Sequence, residues 1–91
     1  MEKIKPGIYR HYKGKEYNVY GEVILSGTED LSSPVFAVIY RPRYGQRRLT
    51  SRPKIEFLEN VSIEGVLTPR FVFVRELENP ELKIITAFFS S

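Results

Sequence analysis

His11 is the one histidine in a chain of 91 residues that contains no cysteine. General acid–base work needs a partner within hydrogen-bond reach and a substrate cleft, yet the nearest acid in sequence is Glu16, across a turn. No recognisable acid–base–nucleophile set accompanies the imidazole. The plainer role, a polar residue on a first strand hydrogen-bonded to backbone, outweighs catalysis. One histidine with scattered carboxylates matches no metal-ligand spacing either. The missing cysteines remove a disulfide framework, a thiolate metal site and a cysteine nucleophile together. Gly14 and Gly45 each stand in a turn with no helical pattern behind it, whereas a phosphate loop runs from a strand into a helix N-terminus. The residues therefore predict no enzyme, no metal site and no cofactor.

What the chain does concentrate is positive charge. Residues 41–54 read RPRYGQRRLTSRPK, six cations without an acid, twice the net charge of +3 carried by the whole protein. Residues 1–40 balance five cations with five acids, and residues 55–91 set three cations against six acids. A local positive potential collects polyanions. Arg43, Arg47, Arg48 and Lys54 are the candidate phosphate contacts, and Tyr44, beside Gly45 at a hairpin tip, is the candidate stacking face; single-strand binders combine those two elements. A structural role competes with this one. Cations on a short edge strand blunt edge-to-edge aggregation, and Arg41 or Arg52 can pair with Glu56 or Glu59. Arg70 adds a further cation or an ion-pair partner. Of the other tyrosines, Tyr17 reads as core and Tyr20 as the exposed side of its strand, while Tyr9 and Tyr12 cannot share one face of a regular strand.

These residues must be held by β-structure. Ile8–Tyr12 is a short extended run closed by a turn at Lys13-Gly14-Lys15. Glu16–Leu25 alternates, with Tyr17, Val19, Val23 and Leu25 on an apolar side and Glu16, Asn18, Tyr20 and Glu22 on a polar one. Gly21 interrupts it as a bend or bulge would. Ser26–Pro34 is a polar loop, Val35–Arg41 a third strand and Arg47–Ser51 a fourth, which Arg52-Pro53 should break. Asn60–Ile63 and Val66–Leu67 flank Glu64-Gly65, a two-residue hairpin turn, and Phe71–Val74 is a further strand. Asn79 as N-cap, Pro80 at the first helical position, and Leu82, Ile85 and Phe89 at helical spacing predict a short helix over 79–89, with a strand as the rival. Short strands between Gly and Pro turns indicate one small β-barrel or sandwich. Val35–Tyr40 and Phe71–Val74 are apolar on both faces, so their outer face needs a cover, either the 79–89 segment or a second subunit.

Several stretches together resemble a bacterial family known as domain of unknown function 1653: Lys5–Tyr17 (KPGIYRHYKGKEY), Val38–Arg41 with Tyr44-Gly45, Arg52-Pro53 with Phe57, and Pro69-Arg70-Phe71. The resemblance spans residues 5–74 and implies an SH3-like barrel, with Tyr9, His11, Tyr12, Tyr40, Arg52 and Arg70 at motif positions. This chain lacks the tryptophan that family members carry after the leucine of the fourth strand. It also has a longer loop at 26–34.

The combined expectation is a mainly β protein, an SH3-like antiparallel barrel of five to six short strands over residues 1–75, with residues 76–91 packed on it as an extension. No apolar run is of signal-peptide or membrane-spanning length, so a soluble cytoplasmic setting is expected. The expected function is non-catalytic polyanion binding, RNA or DNA, through the basic hairpin. The alternative is a protein-interaction or homodimerisation module using aromatic and apolar surface.

Overall fold

The computed structural model describes residues 3–78. The elements are β1 (Gly7–His11), β2 (Glu16–Ile24), β3 (Phe36–Pro42), β4 (Thr50–Pro53), a single helical turn α1 (Lys54–Phe57), β5 (Asn60–Ile63), β6 (Val66–Pro69) and β7 (Phe71–Arg75). One sheet runs β4-β3-β2-β1-β7, and β5-β6 form a separate hairpin. All pairings are antiparallel. The chain is thus all-β in class, as its turn spacing predicts, with seven strands in place of five to six.

The main sheet is curled until its two edges meet. In a flat sheet, strands four places apart would lie about 19 Å from each other. Here the Arg52 guanidinium of β4 sits 5.8 Å from the ring centroid of Phe71 on β7, and Phe57 of α1 stacks on the same ring at 4.5 Å. Side chains close the seam. Among the described residues β4 and β7 exchange no backbone ladder, so the barrel is open. Inside the curl lies the core of Ile4, Tyr9, Val19, Val38, Tyr40, Phe57 and Phe71, with Tyr17 packed on it. The buried Tyr9 hydroxyl donates to Lys5 O at 2.7 Å, so this aromatic brings no unmet polar group into the core.

A bulge in β2 decides what faces that core. The β2–β3 register shifts between Val19 and Gly21, where φ is +138°, a conformation open to glycine and strained for other residues. Before the bulge Val19 pairs with Tyr40, and after it Glu22 pairs with the fully buried Val38. The alternation is thereby inverted. Glu22 turns inward, while Val23 and Leu25, expected on the apolar side, are exposed. Tyr20 departs from expectation too, being half-buried with its hydroxyl enclosed.

Pro53 does not break β4; it is the last paired residue, opposite Ala37. The strand is an edge of the sheet, and an edge strand tolerates proline's missing N–H. The hairpin turn is as expected, with left-handed backbone at both Glu64 (φ 49°) and Gly65 (φ 81°). Val72 and Val74 on the outer side of β7 are exposed. The helix expected over 79–89 lies outside the described residues.

Candidate functional site

An antiparallel meander returns alternate turns to the same end of the sheet. The β1–β2 turn at 12–15 and the β3–β4 loop at 43–49 are therefore neighbours, and Arg43 N donates to Glu16 O at 3.1 Å to tie them together. Lys15 Nζ lies 4.9 Å from the Tyr44 ring centroid. Tyr44 is 42% exposed, and the other five tyrosines are all half-buried or buried. Its hydroxyl lies 2.9 Å from that of Tyr17. That bond fixes the orientation of a ring otherwise presented to solvent. Arg47 and Arg48 are exposed in the loop, and Arg47 holds φ 52°. A non-glycine residue there costs on the order of 1 kcal/mol, so the loop keeps a cation where glycine would fit more easily.

Behind the loop the outer face of the sheet carries a cleft of about 210 Å³ lined by Asn18, Arg41, Arg43, Arg47, Arg75 and Glu78. Asn18 is buried, and its Oδ1 accepts from Arg43 Nη1 at 2.7 Å. Arg75 Nη1 lies 3.8 Å from Glu78 Oε1. At the sheet end and in this cleft, Lys13, Lys15 and Arg75 join Arg41, Arg43, Arg47 and Arg48 of the basic run. The sequence signal for the two lysines was available. Both turns of the meander are cationic, and both face the same way.

The run 41–54 is nonetheless not a single patch. Strand alternation sends Arg41 outward, opposite Asn18, and Arg52 inward, opposite Val38. Lys54 has to be withdrawn from the phosphate-binding set. Its ammonium bonds both Glu22 oxygens at 2.8 and 2.9 Å, and the two side chains are 6% and 9% exposed. Burial alone would raise the Glu22 pKa. Hydrogen bonds from Lys54 and the Ile4 backbone, with the charges of Lys54 and Lys3, outweigh it and hold the group below its usual 4.5. The pair exists because the β2 bulge turns Glu22 toward α1.

The motif residues mostly share the inner face. Tyr9 and Tyr40 are core, and Phe71 gathers His11 at 5.0 Å and Tyr17 at 5.6 Å between ring centroids. Tyr12 lies beside His11, 4.4 Å between rings. Arg70 pairs with Glu59 at 2.9 Å, so Glu59 serves Arg70 and not Arg41 or Arg52. His11 Nδ1 accepts the Lys13 N–H at 3.2 Å. Burial, then the charges of Arg70, Arg52 and Lys13, lower its pKa from 6.5 and favour the neutral ring. Burial and the bond to Tyr44 push Tyr17 up to about 12. Among the described residues no three His, Asp or Glu side chains gather as metal ligands, and no helix is long and apolar enough to cross a membrane.

A family model described as a protein of unknown function (DUF1653) matches residues 7–73. A crystal structure of a protein belonging to DUF1653 from Bordetella bronchiseptica is 27% identical in sequence. It superposes with a TM-score of 0.67, covering 82% of this chain and 92% of that one. No curated protein matches the chain. The matched span takes in the bulge, the seam and the cationic sheet end.

Proposed function

The chain belongs to the DUF1653 family, and from its own residues we propose that it is a non-catalytic module that binds a nucleic-acid strand, RNA or DNA, across the cationic end of the sheet. The observation that carries this reading is the placement of one exposed, hydroxyl-anchored tyrosine, Tyr44, among cations from two adjacent turns. Arg43, Arg47, Arg48, Lys13 and Lys15 contact phosphates while a base stacks on Tyr44 in place of the Lys15 ammonium. His11 supports the non-catalytic part. Its Nδ1 lone pair already accepts the Lys13 N–H and is not open to take a substrate proton. A cytoplasmic setting goes with such a ligand.

Five phosphate contacts give log affinity against log salt a slope of about −4. Filter binding of single-stranded RNA and DNA at two salt concentrations tests this. Arg47→Glu/Arg48→Glu should weaken binding and flatten the slope by about 1.5. Equal affinity and slope in that variant would count against the surface.

A second reading, self-association, draws on the β5–β6 hairpin. Val66 and Leu67 there are 64% and 73% exposed, and Ile63 on the other strand is exposed as well. Solvent-facing aliphatic groups grouped on one hairpin are a common mark of an interface. Light scattering at high concentration tests it: a dimer that Leu67→Glu dissociates supports the hairpin, and a clean monomer removes it.

A further inference from the structure

We propose that the inner seam of the sheet, where Arg52 lies against the Phe71 ring and Arg70 is the residue before it in the chain, is a receptor for a single oxyanion, a phosphate or a carboxylate. This goes beyond the strand-binding reading and does not depend on it, since none of the loop cations takes part.

The argument starts from Arg52. Its Nε is buried, and the side chain makes no hydrogen bond or ion pair among the described residues; its contact is the Phe71 ring at 5.8 Å. A guanidinium has five N–H donors and no acceptor, and an unmet buried donor is costly. Arg70 repeats the pattern in part. One terminal nitrogen reaches Glu59, but its Nε is enclosed without a partner.

The groups around them are donors as well. With Nδ1 accepting from Lys13, a neutral His11 carries its proton on Nε2, a donor with no partner among the described residues. In the Tyr17–Tyr44 pair either hydroxyl can be the donor; with Tyr44 donating, the Tyr17 proton is free to give to a bound anion. Arg52, His11 and Tyr17 all lie within 6 Å of one ring, that of Phe71. His11 of β1, Tyr17 of β2 and Arg52 of β4 thus meet at the ring that β7 supplies, and Glu59, bonded to Arg70, is the one carboxylate bonded there among the described residues. An oxyanion supplies the acceptor these groups lack, and a guanidinium fork suits either shape of anion. Burial first, then the charges of Arg70 and Arg52, lower the His11 pKa, so the two arginines add a positive field at the site.

The test follows the His11 ring by NMR in the full-length protein, where a single histidine makes the signal unambiguous. Its pKa is measured at fixed ionic strength with sodium chloride replaced stepwise by inorganic phosphate or by acetate. The receptor predicts a saturable rise in at least one anion, because bound negative charge offsets the two arginines. A response to phosphate alone assigns a tetrahedral ligand, and a response to acetate assigns a carboxylate. Arg52→Gln should move the midpoint about tenfold or more to higher anion concentration, whereas Arg47→Glu/Arg48→Glu should leave it in place. Identical titrations in all three anions, or a rise that persists unchanged in R52Q, overturn the proposal. Should R52Q fail to fold, phosphate-induced amide shifts in the unmodified protein decide. Movement at His11, Arg52 and Arg70 supports the seam, and movement confined to 43–49 refutes it.

Discussion

Two regions drawn from one stretch of sequence, the loop at 43–49 and the segment Arg52–Lys54, carry the same kind of charge and do opposite things. In the loop Arg47 and Arg48 stand in solvent, where a lone cation contributes little to stability. Four to six residues later Arg52 points into the seam and Lys54 is sealed against Glu22. What separates them is backbone direction, since strand alternation selects the face and α1 carries Lys54 under the sheet. Charge density along a chain is therefore a poor proxy for charge density on a surface.

The largest effect that sharpens this contrast belongs to Lys54. Lys54→Met leaves Glu22 buried without its partner and should cost about 3–5 kcal/mol, read from chemical denaturation. Adding Glu22→Leu should return most of that loss, since removing both ions also removes their desolvation penalty. If Lys54→Met proved as mild as a surface change, the buried pair would be wrong. Gly21→Val comes next. It forces a β-branched residue to φ +138° at the bulge that aims Glu22 inward, and a loss of about 1–3 kcal/mol is expected from the same measurement.

The pH dependence is smaller and comes in two steps. His11 has a folded pKa below 6.5, so the unfolded chain binds its proton first. Its contribution is fully present above about pH 6.5 and is lost as pH falls through the lower folded value. Glu22, also lowered, contributes stability that is present above pH 4.5 and lost as pH drops through its folded pKa. His11→Gln should abolish the first step in urea midpoints measured against pH and leave the second. The smallest effect is in the loop, where Arg47→Ala and Arg48→Ala should each change stability by less than about 0.5 kcal/mol.

Much of the architecture could be read before any coordinates. The strands other than β4, the Glu64-Gly65 turn, the bulge at Gly21 and the exposure of Tyr44 all follow from local residue types, whereas β4, expected at Arg47–Ser51, runs from Thr50 to Pro53. What escaped was the consequence of the bulge. An alternation rule run through Gly21 places Glu22 on the polar side, and only the shifted register against β3 shows it opposite Val38. The burial of Lys54 is hidden from the sequence for the same reason, because its partner lies 32 residues upstream, just past that bulge. The helical turn at 54–57 is too short to leave a periodicity. The inward aim of Arg52 depends on β4 continuing through Pro53, which proline chemistry alone argues against.

The contrast between solvent-facing and committed cations is tested most directly by the salt dependence of strand binding in three proteins: unmodified, Arg47→Glu/Arg48→Glu and Arg52→Gln. The account predicts that the loop variant loses affinity and about 1.5 from the slope, while the seam variant keeps the slope of the unmodified protein. A loop variant that binds with undiminished affinity and slope, or a seam variant that loses as much slope as the loop variant, would contradict it.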